Sequence, residues 1–319
     1  QADYGLPITR VITLLKASGF TAVSPVWSQD LDLKSIAKSL AEHNMTFQSL
    51  HAPHRGISTL WNPDDPVSVE IRSNIMRCID ACAQFQVPIM VMHGWQGLIY
   101  TFPSEPLDFG NFDIIVNYAR QKGVSIAFEN LEGEEYLEAL LTRYCDKAHV
   151  GFCWDSGHER CYTPGWEFLS RYGNRLVMTH LNDNLGITDP DGNLQGTDDL
   201  HLLPYDGTAD WEHMISRLKS AKKQEILNFE LKIRPKGDRC KLDLYDLSQY
   251  LIEKTKGTKN PWTSYKQGEL YRVVLNVDEY LNYGYTGEDN IGCNRSLSMK
   301  YDSRVGNDWS VKSTYTRKR

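Results

Sequence analysis

No run of about 18 apolar residues occurs anywhere in the chain, so a membrane-spanning helix is excluded. No C-x-x-C pair occurs either. The seven cysteines (Cys78, Cys82, Cys145, Cys153, Cys161, Cys240, Cys293) are scattered, and their odd number fits reduced thiols and a cytoplasmic setting. The opening residues, QADYGLPITR, lack the basic-then-apolar pattern of a secretory signal. Fingerprints of the G-x-S-x-G, phosphate-loop and dinucleotide kinds are also missing, which leaves serine-hydrolase, nucleotide-triphosphatase and NAD chemistry without a motif. Positive charge is short where nucleic acid would need it. Residues 257–319 hold ten Lys/Arg and seven Asp/Glu, which leaves 25 against 34 in the first 256 residues and a body near −9. An acidic body with no basic cluster in its loops argues against a phosphate backbone as partner.

What is present is a regular alternation. Short β-like apolar runs lie at 20–27, 45–53, 87–95, 124–132, 150–158, 175–183 and 225–233. Between them come amphipathic segments, such as Ile71, Ile75, Cys78, Ile79, Cys82 and Trp211, Met214, Ile215, Leu218, whose three-and-four spacing marks one helical face. Gly19, Gly123 and Gly173 follow such helices, where a left-handed cap is wanted. Strongly apolar strands separated by helices read as a parallel sheet covered on both faces. One further strand would close an eightfold ring. The first segment, QADYGLPITRVITLLKASG, reads as the loop and helix that follow a first strand, so the expectation is a (β/α)8 TIM barrel over 1–256 with that strand largely missing. Residues 257–319 read as a C-terminal extension without an assigned role; within it LYRVVLNV is a candidate strand for the vacant first position.

Polar residues recur at the C-terminal ends of these strands: His51, His93, Glu129, Asp155, His180 and Glu230. Barrel enzymes build their sites at that rim. A lone histidine at a strand end is more often structural than a ligand, yet Glu129 and Glu230 each interrupt an apolar strand with a carboxylate that must be paired or coordinated. Asp155 and His158 are three apart across a turn, a spacing that lets both reach one cluster. Imidazoles and carboxylates converging on a barrel axis suit Mn, Mg, Co or Zn, with Glu129, Asp155, His180 and Glu230 as the core four. Trp27 and Trp95 end two strands at the same rim, placed to stack on a sugar ring. Lys232, two residues after Glu230, shares its strand face and is a candidate substrate contact.

The stretches IAFENLEG, FCWDSGH, THLNDN, DDLHLLPYDG and FELK resemble the xylose-isomerase-like barrel superfamily of sugar epimerases, inosose dehydratases and apurinic-site endonucleases, over roughly residues 3–255. In its sugar epimerases one divalent ion is held by Glu, Asp, His and Glu from successive strands, which the resemblance carries onto Glu129, Asp155, His180 and Glu230, with a sugar contact on His158. In its endonuclease branch nine ligands hold three zinc ions. Their counterparts here are His51, His93, Glu129, Asp155, His158, His180, Asp199, His201 and Glu230.

The expected function is a metal-dependent isomerase or epimerase of a sugar, sugar phosphate or polyol, working through a metal-stabilised enediolate with Glu129 and Glu230 as the two proton-transfer groups. One cation, Mn, Mg or Co, is expected; Zn also fits. A trinuclear-zinc phosphodiester hydrolase of the apurinic-endonuclease type is the alternative, and an inosose-dehydratase-like lyase or a non-catalytic sugar-binding subunit are further ones. The expected partner is a small sugar or polyol, with homo-oligomerisation left open.

Overall fold

A computed structural model describes residues 8–17, 19–202, 204–231, 273–275, 299–300 and 312–313. Two parallel runs of strands make the sheet. One is β3 (Ser49–His51), β4 (Ile89–His93), β5 (Ser125–Glu129), β6 (Val150–Asp155) and β7 (Leu176–His180), in that order. The other is β2 (Thr46–Phe47), β1 (Ala22–Val23), β9 (Val273–Leu275) and β8 (Leu227–Phe229). Gln48 alone separates β2 from β3, and a parallel bridge from Leu181 to Phe229 joins β7 to β8. The two runs therefore close on each other. This is a TIM barrel, and each expected apolar run supplies a strand, 45–53 supplying the consecutive β2 and β3.

The closing strand comes from far down the chain. Within LYRVVLNV, Val273–Leu275 pairs in parallel with β1 (Ala22 with Val274) and with β8 (Leu227 with Val273). It stands where a first strand was expected to be missing. Two later strands, β10 (Met299–Lys300) and β11 (Lys312–Ser313), pair with each other antiparallel.

Helices cover the outside. Among the described residues they are α1 (Ile8–Ala17), α2 (Leu33–Glu42), α3 (Pro66–Gln84), α4 (Gly110–Lys122), α5 (Glu134–Arg143), α6 (Ser156–Cys161), α7 (Phe168–Tyr172) and α8 (Trp211–Ser220). In α3 the periodic positions Ile75, Cys78, Ile79 and Cys82 are buried, as are Trp211, Met214, Ile215 and Leu218 in α8. Sequence-local signals start them: Asp65 accepts from Val67 N ahead of Pro66, Asp32 from Ser35 N, and Asp210 from His213 N. Gly19 and Gly123 take positive φ after α1 and α4, but Gly173 does not. Its φ is −60°, and a Cβ there would meet Ala221 Cβ at 3.0 Å, so close packing rather than a left-handed turn selects glycine. None of the helices among the described residues is long and apolar enough to cross a membrane.

The period of two along each strand sets the site. Phe128, Phe152 and Trp154 point outward under the helices, where full burial contributes about 1.5–3 kcal/mol each. Val91, Ala127, Cys153 and Met178 point inward and form a separate apolar plug in the lumen. Two residues further along the same four strands stand His93, Glu129, Asp155 and His180. Register aligns them, His93 opposite Glu129 and Asp155 opposite His180. A dry plug thus carries a ring of polar groups at the C-terminal rim.

Candidate metal centre

Glu129 is the hub of that ring. Its Oε2 lies 3.2 Å from His51 Nε2 and 3.3 Å from His93 Nε2, and its Oε1 lies 2.8 Å from His180 Nδ1 and 3.4 Å from His158 Nδ1. Burial pushes its carboxyl up, but His180, His158 and His51 together hold it well below the usual carboxylate range. The next residue along ties this strand end to its neighbour: Asn130 clamps the end of β6, donating Nδ2 to Asp155 O and accepting from Asp155 N.

Asp155 has two duties. Its Oδ1 accepts from His158 N at 2.7 Å and so caps α6, which fixes His158 beside the cluster. Asn182 Nδ2 donates to both of its oxygens, at 3.1 and 2.9 Å. Burial raises the Asp155 carboxyl to about 6 against the opposing pull of His158. The neighbouring acids Glu129 and Glu230 push the same way, and His201 joins His158 in opposing them.

The stretch DDLHLLPYDG is not a loose turn. Leu202 and Asp183 exchange backbone hydrogen bonds at 2.6 and 2.9 Å, which pins the segment to the end of β7. Asp183 also accepts from Tyr205 N, Ala209 N and Trp211 Nε1, at 3.0, 3.0 and 2.8 Å. Gly207 is obligatory under this clamp, because a Cβ would lie 2.2 Å from Asp183 Oδ1. His201 sits at φ 46°, a left-handed conformation that costs a non-glycine residue of order 1 kcal/mol. So held, its Nε2 meets Asp199 Oδ2 at 2.8 Å, while Asp199 Oδ1 lies 3.6 Å from His158 Nε2. Burial works against the Asp199 charge, yet His201 and His158 hold its carboxyl well below the usual range.

Among the described residues three groups made of His and carboxylate donors alone emerge: Glu129, Asp155, His180 and Glu230; His51, His93 and Glu129; His158, Asp199 and His201. In each, donor atoms lie within 4.8 Å of one another. A divalent cation fits the first on local grounds. Glu129 and Glu230 both approach the single Nδ1 of His180, at 2.8 and 2.6 Å, and one N–H cannot serve two buried carboxylates equally. Cys153 Sγ also comes within this range of Glu129 and His180, but burial pushes its thiol up to about 12.

A cavity of about 290 Å³ opens above the cluster, lined by His51, His93, His158, Asp199, His201 and Glu230, with Leu98, Leu131 and Tyr162 forming an apolar wall. All nine expected ligands gather at or beneath it. The two tryptophans do not. Trp27 is 7% exposed and belongs to the core between sheet and helices. Trp95 stacks face to face on Tyr136, centroids 4.3 Å apart, and donates Nε1 to Gly97 O. Trp27 is thus buried in the core and Trp95 half-buried against Tyr136, and neither ring lines the cavity. Lys232 lies outside the described residues. His54, Gln96 and Glu132 also line the cavity and stand outside the expected set of site residues. His54 follows His51 by three residues in HAPH, and Glu132 follows Glu129 by three in ENLE, so both were visible as repeats of a residue type near a ligand.

A closed parallel barrel with a buried His/Asp/Glu cluster at its C-terminal rim defines a TIM barrel that carries a candidate metal site. Residues 12–246 match the model of the xylose isomerase-like TIM barrel family, and the chain belongs to that family. An uncharacterized protein, y4fM of Sinorhizobium fredii (strain NBRC 101917 / NGR234), is 29% identical over 267 residues, covering 71% of this chain and 82% of that protein. Among solved structures, the IolI protein with a bound zinc atom superposes with a TM-score of 0.61 at 17% identity, over 82% of this chain and 95% of that one. D-allulose 3-epimerase from Methylomonas sp. in complex with D-allulose gives 0.57 at 15% identity, over 78% and 90%. At these identities the likeness is one of fold.

Proposed function

We propose that the protein is a divalent-metal-dependent isomerase or epimerase of a sugar or polyol. One observation carries this: Glu129 on β5 and Glu230 just past β8 stand three strands apart around the ring, yet both reach His180 Nδ1 beneath a cavity of monosaccharide size. Glu129, Asp155, His180 and Glu230 would hold the ion, which when bound would withdraw charge from a substrate carbonyl. Glu129 and Glu230 approach a carbon between them from different sides, one removing its proton and the other returning it. Both are almost wholly buried, so the proton is not lost to bulk water between the steps. His158 and His201 in the wall would orient substrate hydroxyls. Similarity to sugar epimerases supports the same direction.

The presence of all three donor groups favours a second reading, a trinuclear-zinc phosphodiester hydrolase. Metal analysis of the purified protein separates the two. About one Mn, Co or Mg per chain, together with exchange of substrate hydrogen with deuterated water, is the expected result. About three tightly held zinc ions with cleavage of abasic duplex, and no exchange into any sugar, would establish the hydrolase instead.

Positioning of Asp155 gives another expected outcome. A Cβ at Gly157 would fall 1.8 Å from Asn182 Oδ1, so Gly157→Ala must displace the amide that holds both Asp155 oxygens. Divalent-metal affinity should fall by about 10–100-fold, the usual consequence of losing a ligand's hydrogen-bonded support. Competition against a chromophoric chelator measures it. Wild-type affinity in the folded variant would remove Asn182 from this role.

A further inference from the structure

Six histidines gather at this centre, and five of them face acids. His51, His93, His158, His180 and His201 each place a ring nitrogen between 2.6 and 3.4 Å from a carboxylate oxygen. His54 is the exception. It lines the same cavity, edge-on to His51 and His93 with centroids 6.2 and 5.5 Å away, and no carboxylate of the described residues lies within ion-pair distance of it.

Its partner is an amide instead. His54 Nδ1 lies 3.1 Å from Gln96 Nε2, and an amide nitrogen donates but does not accept. With the amide nitrogen turned to it, Nδ1 takes the acceptor role, and a neutral ring in that role would carry its proton on Nε2. That N–H has no protein partner among the described residues. The carboxylates in the cavity wall, Glu132, Asp199 and Glu230, offer only acceptors to a ligand, so an uncommitted N–H is the complementary group.

We propose that His54 is a substrate-binding residue that presents Nε2–H to a carbonyl or hydroxyl oxygen of an uncharged polyhydroxy ligand, with Gln96 as the positioning residue that fixes the tautomer. The ligand class rests on the sugar reading given above; the tautomer does not.

Two measurements test it on zinc-loaded protein. Heteronuclear NMR of isotope-labelled histidine should show, for the resonances that vanish in His54→Gln, a protonated Nε2 and a bare Nδ1. A protonated Nδ1 overturns the proposal. Calorimetric titration with a panel of ketohexoses and ketopentoses, D-allulose included, should find the tightest binder weakened about tenfold in His54→Phe and largely restored in His54→Gln, which keeps an N–H. Equal affinity in His54→Phe overturns the assignment. If no panel sugar binds the wild type, the isomerase reading fails, and the tautomer spectrum still decides whether His54 holds its N–H toward the cavity.

Discussion

Glu129→Gln is expected to lower turnover by about 10³-fold or more while leaving the protein folded. Gln matches Glu in volume, so the packing around β5 survives. What is lost is the charge that four imidazoles share at 2.8–3.4 Å, together with one of the two groups able to accept a proton at the cavity floor. Hydrogen exchange from deuterated water into a ketose, followed by mass spectrometry, reads the step directly, and metal analysis on the same sample shows whether the centre still loads. A variant that loads metal and exchanges at more than a tenth of the wild-type rate would sink the proton-transfer role of Glu129. Glu230→Gln should behave alike in turnover, because each base is needed once per cycle.

The barrel was legible for a simple reason. Strands buried on both faces show as apolar runs, and a carboxylate or imidazole two residues beyond an inward apolar position marks the rim: Ala127 before Glu129, Cys153 before Asp155, Met178 before His180. The asymmetry of DDLHLLPYDG was legible only as a spacing. That Asp199 and His201 face His158 depends on Asp183 clamping the loop from another strand, a long-range contact with no local signal. The same limit explains Trp27 and Trp95. Position at a strand end does not say which way a large ring turns, and for both rings packing against neighbours won. His54 stands outside the expected set because its meaning lies in Gln96, 42 residues away in sequence. The closing strand shows the opposite case: Val273–Leu275 has a local β pattern, while its slot between β1 and β8 was inferred from the strand count rather than from its own residues.

Glu159→Ala should be among the most destabilising single changes outside the centre, costing about 3–5 kcal/mol and lowering the melting temperature by roughly 10 °C. Glu159 accepts from Trp154 Nε1 and from Arg217 Nη2, both at 2.6 Å, and Arg217 reaches on to Glu167 at 3.1 Å. This ties α6, α8 and the start of α7 to β6 at a place where the Glu159 side chain is only 8% and the Arg217 side chain 14% exposed. Alanine leaves the guanidinium, which lies 5.7 Å over the Trp154 ring, with the half-exposed Glu167 in place of its buried acid partner. Glu159→Gln is the informative companion, because it keeps an acceptor while removing the charge, and its cost should be about 1–2 kcal/mol. Burial raises the Glu159 carboxyl above its ordinary value even though Arg217 and Trp154 oppose the shift. The folded state therefore holds this proton to higher pH than the unfolded chain does, so the group's contribution is full below the ordinary carboxylate range and declines as pH rises through the raised value. Chemical denaturation of wild type and Glu159→Gln between about pH 4 and 7 should show the wild type losing stability relative to the variant as pH rises, by the amount that belongs to Glu159. Parallel stability curves would mean that the ion pair holds Glu159 at its ordinary value, and that the desolvation of this acid is fully offset by Arg217.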